Sequence, residues 1–139
     1  MPTIKEVRNA VKATLQAAFD DTAVYERVPA SVVVPAVLIV PAQGDYLVVH
    51  GNGGTSWEFD LVVVVPSADE DVAQDILDDY IDARGDKSIV AVVHANPSLG
   101  RADCSAVVRR LSNYGIKYAV SGTEYIGATL RLSVLATHA

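Results

Sequence analysis

Cysteine is almost absent from this chain, which has a single one, Cys104, among 139 residues. A lone cysteine has no partner within the chain, so an internal disulfide is excluded. This usage favours a reducing compartment or, as an alternative, a particle of the virus type that is assembled inside a cell. We expect Cys104 to be a small buried hydrophobic side chain and not a nucleophile.

Large aromatic side chains are also scarce, with two Phe and one Trp, although half of all residues are apolar. That apolar content argues against disorder, and the length fits one domain with an ordinary hydrophobic core. The longest apolar run, residues 32–42, contains two prolines and is too short to cross a bilayer. The first residues lack the continuous apolar segment of a secretory signal, so we expect no such signal.

Signatures of metal binding and catalysis are missing as well. The histidines His50, His94 and His138 are scattered, and neither His–X–X–X–His nor Cys–X–X–Cys spacing occurs. A zinc site needs about three or four converging ligands, so we expect no metal and no cofactor. The sequence contains no nucleophile, base and orienting residue at a spacing that indicates a catalytic set. We therefore expect no enzymatic activity.

The glycine-rich residues 50–54, His-Gly-Asn-Gly-Gly, invite comparison with anion-binding loops. They contain no lysine and lead into a strand, so they lack the helix N-terminus of a phosphate-binding loop. An oxyanion hole of the esterase type would require a Gly-X-Ser-X-Gly nucleophile turn, which is absent. Glycine and asparagine supply the positive φ of tight turns, so the pattern predicts a hairpin tip.

Three segments have helical spacing. Residues 3–19 begin with the capping-box pair Thr3 and Glu6. Residues 67–83 begin with a similar pair, Ser67 and Glu70, and Asp86 is expected to cap a short third helix over residues 87–95. The predicted core face of the second helix consists of Val72, Ala73, Ile76, Leu77 and Tyr80.

The remaining segments have strand character. We expect extended chain near residues 24–28, a short strand of residues 36–40 bounded by prolines, and a polar connector over residues 42–46. In the next strand Trp57, Phe59, Leu61, Val63 and Val65 share one side. A strand over residues 104–111, turns at residues 112–115 and 121–123, and a long last strand follow, in which Ile126, Ala128, Leu130, Leu132 and Val134 share one side.

This order of elements predicts the α+β class. We expect a largely antiparallel or mixed sheet of four to five strands, packed against two to three helices, with a long exposed β-hairpin.

Charge is distributed unevenly. The net charge is −6, yet residues 69–82 alone hold seven acidic residues and no basic one, whereas the chain from Arg84 onward has a net charge of +4. A free nucleic-acid-binding protein is more often basic overall. Such a run of acidic residues is most often a solvated helix face. Acidic side chains four residues apart on a helix repel each other by about 0.2–0.5 kcal/mol, so a purpose other than helix stability is a second interpretation.

The chain resembles the tail terminator proteins of long-tailed bacteriophages, particularly those that infect actinobacteria. The resemblance covers nearly the full length and consists of an N-terminal helix followed, in order, by four segments. They are VYERVPASVVVPAVLIVPAQGDY (residues 24–46), SWEFDLVVVVPSADEDVAQDILDDYID (56–82), SNYGI (112–116) and YIGATLRLSVLA (125–136).

The resemblance implies a subunit of a six-membered ring. Such a ring caps the finished tail tube, ends tail-length growth and joins the tail to the head-side connector, while genomic DNA passes through its lumen without sequence-specific binding. It implies no catalytic residue, and it places the protein in the tail or neck of the virion, assembled in the host cytoplasm.

Three groups of residues are candidates for contacts in such a ring. The hairpin could pair with a neighbour by strand addition, and acidic and basic faces could supply unlike surfaces for ring closure. Alternatively, the acidic side chains could line the lumen and repel DNA phosphates. The hairpin arm comprises Gln43, Asp45, Tyr46, His50, Asn52 and Trp57; the acidic stripe comprises Asp71, Asp75, Asp78, Asp79 and Asp82; the basic face comprises Arg101, Arg109, Arg110 and Arg131.

Two other functions remain open at this point. One is a head–tail connector or another neck component at an adjacent position in the virion. The other is a small hydrolase that uses His50 or Cys104.

Overall fold

The computed structural model describes residues 3–19, 22–26, 35–47, 54–66, 70–101, 103–120 and 123–137. These residues form three helices and one five-stranded mixed sheet, which confirms the predicted α+β class. No helix in these ranges is long and apolar enough to cross a membrane. The tip of the predicted hairpin, residues 48–53, lies outside the described residues.

Helix α1 (Ile4–Ala18) begins as its sequence predicts. The Thr3 hydroxyl accepts a hydrogen bond from the Glu6 backbone N–H at 3.2 Å, which satisfies one of the free donors of the first turn. Val7, Val11 and Leu15 recur at helical spacing and are fully buried. Near the end of α1 the Gln16 side chain bonds the backbone of Thr22 and Val24, and so ties the helix to the first strand.

Five strands follow in the spatial order β1-β2-β3-β5-β4. The β1–β2 pair is parallel and the other three pairs are antiparallel. The strands are β1 (Ala23–Tyr25), β2 (Ala36–Leu47), β3 (Gly54–Pro66), β4 (Cys104–Val120) and β5 (Thr123–Thr137). Strand β3 is paired along its whole length with β5, so the centre of the sheet joins residues about seventy positions apart, such as Leu61 and Leu130.

The main core lies between the sheet and the helices, and the predicted alternation in β3 and β5 is confirmed. Phe59, Leu61, Val63 and Val65 of β3 are buried there, as are Ile126, Ala128, Leu130, Leu132 and Val134 of β5. The other face of the sheet carries a small second cluster of Ala36, Val64 and Tyr125. The change in β3 from one apolar face to two, visible in the sequence, therefore corresponds to a sheet that is covered on both faces at this end.

Two predicted strand boundaries are wrong. Strand β2 does not stop at Pro41 but continues to Leu47, with a register shift between Pro41 and Gln43. Among the described strands, β1 pairs with β2 only as far as Leu38, so Pro41 lies on a segment of β2 at the edge of the sheet. The missing N–H of a proline is tolerated at an edge and beside a bulge. The expected polar connector over residues 42–46 is therefore strand.

The second correction concerns residues 112–115, predicted as a turn. They form a bulge inside β4, which runs as one strand of 17 residues. Asn113 and Gly115 have φ of 55° and 75°, and the pairing with β5 shifts between Ser112 and Ile116. The residues that signal a turn supply positive φ here as well, but the strand resumes in the same direction.

Helices α2 (Glu70–Ile81) and α3 (Ile89–Ala95) cover the sheet. Ser88, and not Asp86, caps α3: its hydroxyl accepts from the Ala91 N–H at 3.0 Å and donates to the Asp82 carbonyl oxygen. Ala73, Leu77 and Tyr80 are buried as predicted and Ile76 packs partly buried against them, but Val72 is 52% exposed. The cap expected at Ser67 lies outside the described residues.

Candidate functional site

The acidic stripe lies on the surface of α2. Asp75, Asp78, Asp79 and Asp82 are all exposed, on the side of the helix opposite its buried residues. Asp71 belongs to the first turn of the same helix. The structure therefore brings the predicted stripe together on α2 and on Asp82, the residue that follows the helix.

One member of the stripe contacts β4. The Tyr114 hydroxyl, which projects from the bulge, donates a hydrogen bond to Asp78 Oδ1 at 2.5 Å. This bond to a carboxylate raises the pKa of the Tyr114 phenol, and partial burial and the nearby negative charges act in the same direction. Asp78 is thus turned toward the sheet edge.

Strand β4 carries a concentration of exposed apolar side chains. Six large hydrophobic side chains are exposed among the described residues, and four of these belong to β4. The four are Val107, Leu111, Tyr114 and Ile116. Isolated exposed apolar residues are common on soluble proteins, but a group of them on one edge strand is typical of a contact surface.

A groove separates α3 from β4. It has a volume of about 520 Å³ and lies between α3 residues such as Val90 and His94 and β4 residues such as Ala106 and Val108. A smaller hollow of about 230 Å³ shares Val90 and Val108 with it and extends to Leu111. We call the two hollows together the β4 groove.

The four basic residues do not form one face. Arg101 follows α3 and lies 3.3 Å from Glu6 Oε2 and 3.0 Å from Asp103 Oδ1. The Arg101–Asp103 hydrogen bond raises the pKa of the guanidinium and lowers the pKa of the carboxyl. These charges satisfy each other within the subunit.

Arg131 is also paired internally. Its guanidinium lies 3.0 Å from Glu58 Oε2 and 2.8 Å from Asp60 Oδ1 on the neighbouring strand β3. Arg110 stands directly opposite Arg131 on β4, and like charges in that position repel. Arg109 and Arg110 are exposed, and no ion pair joins either to a carboxylate among the described residues.

The predicted hairpin arm falls into two parts. Gln43, Asp45 and Tyr46 lie on β2 opposite Glu58, Ser56 and Thr55 of β3. Trp57 is half-buried, packs against the main core, and pairs with Val134 on its other side. His50 and Asn52 lie outside the described residues, so the exposure of the arm stays a prediction.

Sequence reasoning missed the residues that line the β4 groove and the contact made by Tyr114. The residues 104–111 read only as a strand with one buried face. The usable signal was the pair of basic residues at 109 and 110, followed directly by Leu111, at a point where alternation breaks. Such a break marks a bulge that moves neighbouring side chains to new directions.

Comparison with known proteins adds no family: no family model and no curated protein matches this sequence. Within the described residues, no group of three or more His, Cys, Asp or Glu is placed to hold a metal ion.

Proposed function

We propose that this chain is a structural virion protein that assembles as a ring of identical copies, six in number. The ring caps the phage tail tube, ends tail-length growth, and joins the tail to the head-side connector or stopper protein, with genomic DNA passing through the lumen. Its place is the tail or neck of the virion. The tail tube protein, the connector and further copies of the chain are its partners.

The observation that carries this proposal is the surface of β4. An edge strand with four exposed apolar side chains, beside a helix with an exposed acidic stripe, is suited to contacts between copies. The two features differ in chemistry and belong to different elements. Unlike surfaces on one subunit are what a closed head-to-tail ring requires.

The α+β architecture is consistent with the resemblance to tail terminators, whose subunits have both helices and a sheet. The acidic surface of α2 suits either a contact with a basic neighbour or a lumen that does not retain DNA.

The test is assembly on tail tubes. Purified protein is mixed with tubes that lack their terminator and imaged by negative-stain electron microscopy, and its mass is measured in solution with and without tubes. We expect a ring at one end of each tube. Tubes that stay uncapped at saturating protein would overturn the proposal, and a ring found only on the head-side connector would indicate a neck component instead.

A further inference from the structure

The β4 groove has an apolar floor that ends at an exposed leucine. Ala83, Val90 and Val108 line both of its hollows, and Leu111 at its end is 45% exposed. Covering this half-exposed leucine with a second apolar surface is favourable, because it removes apolar area from water. The groove is therefore suited to an apolar side chain from outside the subunit.

The rim of the groove is positively charged. Arg84, Arg109 and Arg110 line it, and no acidic residue is among the described residues that do. Arg84 also borders a polar hollow with Asp79 and Asp86, so part of its charge is offset within the subunit. Arg109 and Arg110 are exposed at the Leu111 end, and the charge of the neighbouring Arg131 is offset by Glu58 and Asp60, so this end favours an acidic occupant.

The backbone of β4 is poorly suited to strand addition along its length. Two register shifts interrupt its pairing with β5, between Val108 and Arg110 and between Ser112 and Ile116. Bulges and charged residues on an edge strand are features that prevent edge-to-edge pairing. An occupant near this edge would thus be held by side chains, more than by a new strand.

The same chain presents a surface of matching chemistry on α2. Val72 is 52% exposed, and Asp75 and Asp79 follow it at spacings of three and seven, so the three side chains share one side of the helix. This side consists of one apolar side chain followed by two carboxylates. At the end of the β4 groove one apolar side chain, Leu111, follows two arginines.

We propose that the β4 groove of one copy receives the α2 surface of the next copy, with Val72 against Leu111 and with Asp75 and Asp79 facing Arg109 and Arg110. This inference rests on the proposed function, because it names the contact that would close the ring.

The two surfaces point in different directions, as a head-to-tail contact requires. Asp78 is turned toward β4 by its bond to Tyr114. Val72 lies six residues earlier and therefore about 120° away around the helix. Because Val72 lies on a different side of α2 from the Asp78 carboxylate that bonds Tyr114, one copy can offer Val72 to a neighbour while its own groove is occupied by another.

Disulfide trapping between two chains, each with one introduced cysteine, tests the contact directly. Both chains carry Cys104→Ala, one carries Val72→Cys, and the other carries Leu111→Cys and a longer tag. Since each chain has one cysteine, only a bond between copies can form. Under mild oxidation we expect the mixed dimer to form faster than either dimer of like chains.

The matched control replaces Leu111→Cys with Leu135→Cys. The exposed fraction of Leu135, 41%, is similar to the 45% of Leu111, but Leu135 lies between two buried residues of β5 and is not among the residues that line the groove. If the mixed dimer of the Val72 and Leu111 variants forms no faster than this control, the inference is wrong.

Charge reversal gives a second, independent readout. R109E/R110E and D75K/D79K chains should each self-associate at least about tenfold more weakly than the native chain, which corresponds to about 1.4 kcal/mol. An equimolar mixture should recover assembly, since each contact between unlike chains again joins opposite charges. K5E/K12E on α1 makes the same charge change as the groove variant and should associate normally.

Different results would contradict the proposed ring function and the proposed groove contact. If native chains cap tail tubes as rings and R109E/R110E does so equally well, the ring stands and the groove contact is wrong. If native chains form no ring on tubes, the proposed function is wrong whatever the trapping shows.

Discussion

Tyr80 illustrates how a single polar group is accommodated in the core. Its side chain is fully buried, its hydroxyl lies 2.6 Å from the Thr22 hydroxyl, and its ring meets the edge of Phe19 at a centroid distance of 5.9 Å. A buried hydroxyl needs such a partner because losing it costs the desolvation free energy of the group. Tyr80 thereby connects α2 to the chain that enters β1.

Tyr80→Phe should lower the free energy of unfolding by about 1–2 kcal/mol, because the Thr22 hydroxyl loses this partner. Urea denaturation measures the change. Tyr114→Phe is the matched control, since its hydroxyl bonds an exposed carboxylate and its loss should change stability by less than about 0.5 kcal/mol. Equal losses from the two variants would contradict this account.

Cys104 is the residue for which a pH dependence can be stated. Burial raises the pKa of its thiol, and the Asp103 carboxylate, whose Oδ1 lies 3.7 Å from Sγ, raises it further. The native state therefore favours the neutral thiol. Its contribution to stability is present below the unfolded pKa of about 8.5 and is lost as pH rises through the higher folded value.

Iodoacetamide should alkylate Cys104 more slowly in the native protein than in urea, and the pH midpoint of the rate should be higher in the native protein. Mass spectrometry of timed samples follows the reaction. A native midpoint at or below the unfolded one would show that the thiol is not held in its neutral form.

At the scale of single residues, the sequence predicted the cap at Thr3 and the burial of Leu77 and Tyr80 because these depend on neighbours three or four positions away. It misplaced the α3 cap because Asp86 and Ser88 are both good cap residues, and only the path of the chain past Asp82 selects Ser88. It also placed Val72 in the core, since spacing alone does not reveal where the covering surface ends.

At the scale of elements, the bulge in β4 decides which side chains reach α2. It carries Tyr114 between two residues of positive φ, Asn113 and Gly115. Space is not the constraint at Gly115, because a Cβ added there would have no atom within 4 Å. The constraint is the backbone conformation, which costs an L-residue about 1–2 kcal/mol.

Gly115→Ala should therefore lower the free energy of unfolding by about 1–2 kcal/mol and weaken the Tyr114–Asp78 contact. Chemical denaturation gives the first quantity and the NMR signals of Tyr114 report the second. Ser112→Ala, at an exposed position of ordinary φ in the same bulge, should change stability by less than about 0.5 kcal/mol. A Gly115→Ala protein as stable as Ser112→Ala would contradict the assigned conformation.

The elements with strong periodicity were predictable, and those interrupted by glycine or proline were not. Residues 126–134 alternate without a break, and residues 57–61 alternate before the valine run of β3 begins, so the buried faces of both strands could be read directly. Pro41 and the residues 112–115 normally end a strand, and in this fold they bend one instead. A bulge and a turn use the same local conformations, and they differ only in where the next strand pairs.

At the scale of the whole molecule, the position of the acidic stripe decides what the stripe would contact in the proposed ring. The sequence left two positions open, a contact with a neighbour and the wall of the lumen. The exposed Val72 beside Asp75 and Asp79 favours the neighbour, since an apolar side chain contributes nothing to a wall along which DNA must slide.

Reversing Asp75 and Asp78 to lysine should therefore prevent ring formation and leave uncapped tubes, as seen by electron microscopy and by a loss of phage yield. The subunit itself should stay folded, because both side chains are exposed. Intact rings with stalled DNA would instead place the stripe in the lumen. Normal phage yield would contradict both positions.

The overall class was predictable because helices and strands occur in separate runs along the chain, which is typical of the α+β class. The order of the strands was not, since no local pattern shows that β5 lies between β3 and β4. That choice depends on contacts between residues far apart in sequence.

The central pairing of β3 with β5 has a consequence for biosynthesis. Leu61 meets Leu130 only after both intervening helices and β4 have been made. While the ribosome translates these residues, the nascent chain holds a valine-rich strand with one side of its ladder open. Such a strand is prone to pair with other nascent chains on the same polysome. We therefore expect chaperones, or fast translation through β5, to raise the yield of folded subunits.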